Sequence, residues 1–177
     1  MEQELRREVW TLRRGEPVDA DALALVGQAT MLETYAGELE GADILAHCAG
    51  QHSAAKYAAW LGAEDAACCL LEVKGAPVGY AVVCPPDLPV APEVGDVELK
   101  RIYLFHRFQG AGMGRALMQW AIEEARSRGA GRLLLGVYGH NEAALSFYAR
   151  QGFERIGTRT FTVGSLVCDD FVLGLRV

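Results

Sequence analysis

The chain has 177 residues, with 17 basic against 23 acidic side chains for a formal charge of −6, and 51% of its residues are hydrophobic. That is enough apolar material for one sizeable core and too much for an unfolded chain. An acidic balance excludes a general nucleic-acid binder, whose affinity rests on basic contacts to phosphate. No stretch approaches the roughly 20 apolar residues that span a bilayer, and the opening MEQELRREVW carries charge where an export signal needs an apolar run. Five cysteines (Cys48, Cys68, Cys69, Cys84 and Cys168) follow no framework spacing, so the expectation is a cytoplasmic protein with reduced thiols and no membrane partner.

In chain order, the β-branched and aromatic stretch Glu8–Arg13 predicts a strand, ended by Gly15 and Pro17. A helix capped by Asp19 or Asp21 then runs through Leu23, Val26 and Met31 towards Gly37. A second, Ala-rich helical stretch follows from Asp43 to Leu61, with a break near Gly50. Two apolar runs, Ala67–Val73 and Val78–Cys84, predict a hairpin turning through Lys74-Gly75-Ala76-Pro77. Residues 85–92 hold four of the six prolines and read as a surface loop. Next come a strand over Asp96–Phe105, a glycine-rich turn, and a helix from Gly112 to Arg128 whose Met113, Leu117, Trp120, Ala121 and Ala125 share one face. Leu133–Tyr138 is a buried strand and Asn141–Gln151 a short helix; Phe153–Val163 with Phe171–Val177 forms a closing antiparallel pair. The order β-α-α-β-β-β-α-β-α-β-β describes an α/β fold of mixed sheet and helices, one domain over residues 1–177.

The informative segment is Gln109-Gly110-Ala111-Gly112-Met113-Gly114-Arg115, set between a strand and a helix. Its glycines permit positive φ and close approach of a ligand to the main chain, and the free amides at the helix start suit an anion. The dinucleotide pattern G-x-G-x-x-G fails on spacing, and the P-loop fails because Gly114 is followed by Arg115-Ala116. The pattern Q-x-x-G-x-G matches at Gln109, Gly112 and Gly114.

That loop resembles the acetyl-coenzyme A pyrophosphate loop of the GNAT N-acetyltransferase superfamily. Glu98–Leu104 is similar to the strand leading into it, and Asn141–Phe153 is similar to the superfamily's N-x-x-A-x-x-F-Y-x-x-x-G-F segment. The tail, Thr160–Gly164 with Asp169-Asp170-Phe171, resembles bacterial members described as spermidine/spermine acetyltransferases. The resemblance implies a largely antiparallel sheet of about seven strands flanked by about four helices. It further implies acetyl-CoA as co-substrate, a homodimer, and direct acetyl transfer to a primary amine such as a polyamine. A protein N-terminus, a lysine or another small amine is the alternative acceptor, and a non-catalytic acyl-CoA sensor is the alternative from another class.

Under that resemblance Glu98, eleven residues before Gln109, is the general base, directly or through a water, and Tyr148 is the general acid for the departing sulfur. Ile102, Tyr103 and Leu104 lie along the pantetheine through main-chain groups, with the Leu104 amide facing the oxyanion; the Tyr103 and Phe105 side chains pack the other way. The strand is expected to be bulged and to splay from its neighbour. Gln109, Gly110, Ala111, Gly112, Met113, Gly114 and Arg115 receive the pyrophosphate, with Arg107 either beside it or in solvent. Asn141, Ala144, Phe147 and Tyr148 complete the coenzyme side, Asn141 serving also as a helix N-cap. His47, His52, His106 and His140 lack metal-ligand spacing, so no metal is expected.

Charge divides along the chain. Residues 15–98 carry two basic against fourteen acidic side chains, and residues 99–177 eleven basic against six acidic. The expectation is a basic half for the coenzyme phosphates and an acidic half around a cationic acceptor.

Overall fold

The computed structural model describes residues 9–177. Strand β1 (Trp10–Arg14) begins two residues later than Glu8, which lies outside the described residues. It pairs antiparallel with β2 (Ala67–Val73), and β2 with β3 (Ala76–Cys84). The turn between β2 and β3 is tighter than the four residues expected: Lys74 and Gly75 alone make it, both at positive φ (51° and 78°), which is the two-residue hairpin geometry. Pro77 sits inside β3, opposite a register shift at Leu71/Glu72. A residue without an amide hydrogen is tolerated at such a bulge.

Strands β2 and β3 read as unbroken apolar runs because both faces of the sheet are covered. Cys69, Leu71, Ala81 and Val83 point into one core, and Cys68, Leu70, Tyr80 and Val82 into the other, the period-2 alternation of a strand. The second core is closed by α1 (Ala20–Tyr35) and α3 (Ala54–Gly62) through Leu23, Val26 and Tyr57. The first is closed by α4 (Met113–Ser127) and α5 (Glu142–Arg150).

The Ala-rich stretch is two helices, α2 (Gly41–Gln51) and α3, parted at His52-Ser53 just after Gly50. Ser53 makes the break, its side chain accepting from the Lys56 amide at 3.2 Å as the N-cap of α3. Asp19 does not cap α1 with its side chain. Its carboxylate turns instead to Arg13 and to the Glu16 amide.

β4 (Val97–Leu104), β5 (Arg132–Tyr138), β6 (Glu154–Val163) and β7 (Leu166–Arg176) complete a seven-stranded sheet of order β1-β2-β3-β4-β5-β7-β6. All neighbours are antiparallel except β4 and β5. The closing hairpin differs from expectation: β7 begins at Leu166 rather than Phe171, after a turn at Gly164-Ser165. The polar run Cys168-Asp169-Asp170 is strand all the same, because Asp170 faces Arg159 across the hairpin. No helix among the described residues is long and apolar enough to cross a membrane.

Candidate active site

β4 shapes the site because it is bulged and half released. Its pairing with β3 skips Lys100, Val83 facing Leu99 and Val82 facing Arg101. Its parallel pairing with β5 stops after Val97–Leu133 and Glu98–Leu134, while β5 goes on pairing with β7 as far as Tyr138–Asp170. Beyond Leu99 the two strands part and a wedge opens between them. The Phe105 amide donates to Val78 O of β3 at 3.1 Å. Successive amides alternate in direction along a strand, so the Leu104 and Ile102 amides face away from β3, into the wedge.

On one side of the wedge lies a cavity of about 610 Å³. Ile102, Tyr103 and Leu104 of β4 line it, as do Gln109, Gly110, Gly112, Gly114 and Arg115 from the glycine turn and Asn141, Ala144, Phe147 and Tyr148 from α5 and its cap. Gly110 and Gly112 adopt φ of 81° and 86°, and a side chain built on either meets nothing within 4 Å. The turn therefore presents open backbone and the first amides of α4 to whatever enters. Gln109 ties the turn to β4, its amide nitrogen donating to Leu104 O at 3.3 Å. Asn141 caps α5, its Oδ1 accepting from the Ala144 amide at 3.0 Å, which leaves its amide nitrogen for the cavity. Ala111 and Met113 do not line the cavity: Met113 is fully buried against the sheet and Ala111 packs on the same core, since the first inward turn of α4 must cover apolar strands. Arg107 stacks over Phe108. The cavity's charged side chains, among them Lys100, Arg101, Arg115 and Arg150, include no carboxylate among the described residues. An anionic ligand fits that lining.

A second cavity, of about 540 Å³, lies on the other side. It shares Tyr35, Lys100, Arg101, Tyr103, Gly136 and Tyr138 with the first, so the two meet where β4 and β5 part. Glu98 lines the second cavity and Tyr148 the first. Glu98 is 1% exposed; its Oε2 accepts from the Asp87 amide at 2.8 Å and its Oε1 lies 3.2 Å from Lys100 Nζ. Tyr148 is 9% exposed and packs edge-on against Phe147 and Phe153. Burial, with the nearby Tyr103 and Tyr35 phenols, holds its hydroxyl above the ordinary tyrosine range, so the phenol stays protonated at neutral pH.

Residues 31–153 match the family model described as "Acetyltransferase (GNAT) family". An uncharacterized N-acetyltransferase of Mycobacterium tuberculosis is 34% identical over 155 residues, covering 88% of this chain and 96% of its own. The chain belongs to the GNAT acetyltransferase family. It is an acetyl-CoA-dependent N-acetyltransferase, and the cationic lining and glycine turn suit that co-substrate's phosphates. A mycothiol acetyltransferase of Rhodococcus erythropolis is 44% identical over 68 residues, 37% of this chain and 23% of that one. Among solved structures, the PaiA N-acetyltransferase of Thermoplasma acidophilum in complex with coenzyme A shares the fold with a TM-score of 0.78 at 20% identity, covering 96% of this chain and 99% of that one. The ribosomal-protein-S18-alanine N-acetyltransferase of Escherichia coli does so with a TM-score of 0.67 at 22% identity, covering 96% and 94%.

The second cavity of this acetyltransferase departs from the expected acidic lining. Its three carboxylates (Glu38, Glu98, Asp170) meet three fixed cations (Lys100, Arg101, Arg159). The surplus acid of residues 15–98 is elsewhere, on exposed positions such as Asp21, Glu40, Glu64 and Asp65. Lys100 pairs with Glu98, and Arg159 with Asp170. Arg101 has no carboxylate partner among the described residues; it donates to the Tyr57 hydroxyl at 2.7 Å and to His52 Nδ1 at 3.2 Å, with Trp60 facing its guanidinium. Burial, Arg101 and His47 push the His52 pKa down to about 3, so its ring is neutral and Nδ1 accepts. Sequence reading gave Arg101, His52, Arg159 and Asp170 no role in the site: Arg101 and Asp170 stood only inside segments that carry the family resemblance, and His52 only among histidines without metal-ligand spacing. The register of the closing hairpin was the one signal that would have joined Arg159 to Asp170.

Proposed function

We propose that this acetyltransferase moves acetyl from acetyl-CoA in the first cavity to a primary amine in the second. The observation that carries this reading is the meeting of the two cavities at the β4–β5 wedge, with Glu98 on one side and Tyr148 on the other. An acceptor with an ordinary ammonium pKa near 10 must lose a proton before it attacks. Glu98, held by the Asp87 amide and Lys100, receives that proton through water. The neutral amine nitrogen attacks the thioester carbonyl, the Leu104 amide faces the developing oxyanion, and as the carbon–sulfur bond breaks the nitrogen loses its second proton to water, leaving the neutral amide. Tyr148 donates its proton to the departing sulfur.

A polyamine is the acceptor suggested by the resemblance of the tail, and Glu38 at the exposed rim supports a second ammonium there. Arg101, which lines the second cavity and has no carboxylate partner among the described residues although it donates to Tyr57, His52 and the Gln51 carbonyl, favours a second reading, an amine that carries its own carboxylate, such as an amino acid or peptide. Thiol release from acetyl-CoA with polyamines, amino acids, peptides and aminoglycosides decides between them. Tight coenzyme binding without turnover on any amine makes the protein an acyl-CoA sensor instead. Residues 1–177 act in this reading as one cytoplasmic catalytic domain that forms a homodimer; limited proteolysis and sedimentation equilibrium test those two statements.

A further inference from the structure

Asp170 carries an unexplained group. It is 3% exposed and lines the second cavity. Its Oδ2 accepts from Arg159 Nε at 3.2 Å and Nη2 at 3.1 Å. Its Oδ1 is buried with no hydrogen-bond partner, alone in this among the described buried side-chain atoms. A buried carboxylate oxygen without a donor is strongly disfavoured, and native proteins keep such groups chiefly where a ligand or a function completes them.

Its place in the fold is as informative. Asp170 stands opposite Tyr138 in the β5–β7 register and opposite Arg159 in the β6–β7 register. The Arg159 guanidinium lies against Gly136 of β5, and Gly136 and Tyr138 line both cavities. The pair therefore sits beside the junction where the reacting groups meet. Arg159 holds one oxygen and fixes the carboxylate's orientation, which leaves the other free to accept from an N–H.

Resting on the acetyl-transfer reading above, we propose that Asp170 Oδ1 is the docking point for the acceptor's primary ammonium. One N–H of the ammonium bonds Oδ1, and the nitrogen is thereby placed at the wedge. The carbon stem behind it runs along the apolar part of the same cavity, where Met31, Leu39, Phe161, Val163 and Leu166 stand. The acceptor class this selects is an amine with an apolar stem next to its nitrogen. Deprotonation remains with Glu98 in this scheme, so Asp170 is a binding residue and not the base.

The test is binding of n-butylammonium and of 1-butanol to the coenzyme A-loaded protein, followed by ligand-observed NMR. The expected result is at least tenfold tighter binding of the ammonium to the wild-type protein. Asp170→Asn should abolish that preference while coenzyme A affinity stays within twofold. Equal binding of the two probes to the wild-type protein overturns the proposal, as does an ammonium preference that survives in Asp170→Asn. A second measurement needs no variant: butylammonium should shift the Asp170 carboxyl 13C resonance of the wild-type protein and butanol should not, and an unmoved resonance also overturns it. Ammonium preference without turnover on any amine would refute acetyl transfer and leave the docking point standing. Turnover by Asp170→Asn with an unchanged acceptor KM would do the opposite. A preference for spermidine over butylammonium that Asp170→Asn does not alter would move recognition to the rim and reject the apolar-stem assignment.

Discussion

Arg159 lies across Gly136: a Cβ built on the glycine would come within 2.7 Å of the arginine's Nη2 and 2.8 Å of its Nε. No real side chain is accommodated there unless the guanidinium moves. Gly136 is not at positive φ, so Gly136→Ala carries no backbone strain and its effect is confined to Arg159. The displaced guanidinium no longer orients Asp170. We expect acceptor KM to rise about tenfold, roughly 1.4 kcal/mol, while the KM for acetyl-CoA changes by less than about threefold. Steady-state kinetics with each substrate varied in turn measures both. Equal effects on the two would place the role of Arg159 in the first cavity.

Tyr148→Phe removes a hydroxyl and leaves the ring packed against Phe147 and Phe153. If the phenol protonates the departing thiolate, kcat should fall about 100-fold, the lower end of what general acid catalysis contributes, with coenzyme A affinity unaltered. The pH profile gives a second handle. Burial chiefly, then the Tyr103 and Tyr35 phenols, raise the Tyr148 pKa above its ordinary value, so the acid form persists as pH rises. The wild-type rate should therefore show no basic limb from this group up to about pH 10, the unperturbed tyrosine value.

How much of this was open to sequence reading depends on how local each signal is. The glycine turn, the Asn141 cap and the helix carrying Tyr148 are written in contiguous residues, because positive φ, capping and helical spacing are decided within a few positions. The strands and helices followed from apolar runs and turn residues in the same way, while the largely antiparallel pairing of the sheet as a whole came only from the family resemblance. Arg101 with His52 and Tyr57, and Arg159 with Asp170, arise otherwise. Their partners come from the α2–α3 junction, α3 and β4, or from two strands whose register is decided by a turn that sequence reading drew too long, over 164–170 rather than Gly164-Ser165. Charge summed along the chain also misled. It located the coenzyme side as cationic, yet the acidic surplus is spread over exposed helix and loop positions rather than gathered at the second cavity.

Gly112 sits at φ 86° at the N-cap of α4, with open space where a side chain would project. In Gly112→Ala the left-handed conformation is disfavoured by about 1–2 kcal/mol, and the new methyl projects into the open space beside the turn, where the proposed reading seats the coenzyme's pyrophosphate. We expect the KM for acetyl-CoA to rise about tenfold or more, with acceptor KM little changed, the converse of Gly136→Ala. Isothermal titration with coenzyme A checks the binding half directly. A variant that loses thermal stability but binds coenzyme A normally would show that the glycine serves the turn alone.

Far from the wedge, Arg13 joins β1 to the short turn before α1. Its two terminal nitrogens lie 2.8 Å from Asp19 Oδ1 and Oδ2, and Oδ2 also accepts from the Glu16 amide at 2.8 Å. The Arg13 hydrogen bonds are the largest influence on Asp19 and lower its pKa below the ordinary 3.8; burial opposes them without prevailing. A carboxylate with a folded pKa below its unfolded one adds stability that is fully present above the unfolded value. That stability is lost as pH falls through the folded value. Asp19→Asn should therefore destabilise the protein at pH 7 by about 1–2 kcal/mol, the range for a charge-assisted bond whose arginine is partly in solvent. The difference from wild type should shrink once the pH drops below about 4 and vanish in stronger acid. Glu72→Gln removes Arg13's second carboxylate, which belongs to an exposed bridge, and should cost less than about 1 kcal/mol. Urea unfolding of the three proteins between pH 2.5 and pH 7 measures these differences. A gap between wild type and Asp19→Asn that stays constant across that range would show that Asp19 acts through shape alone.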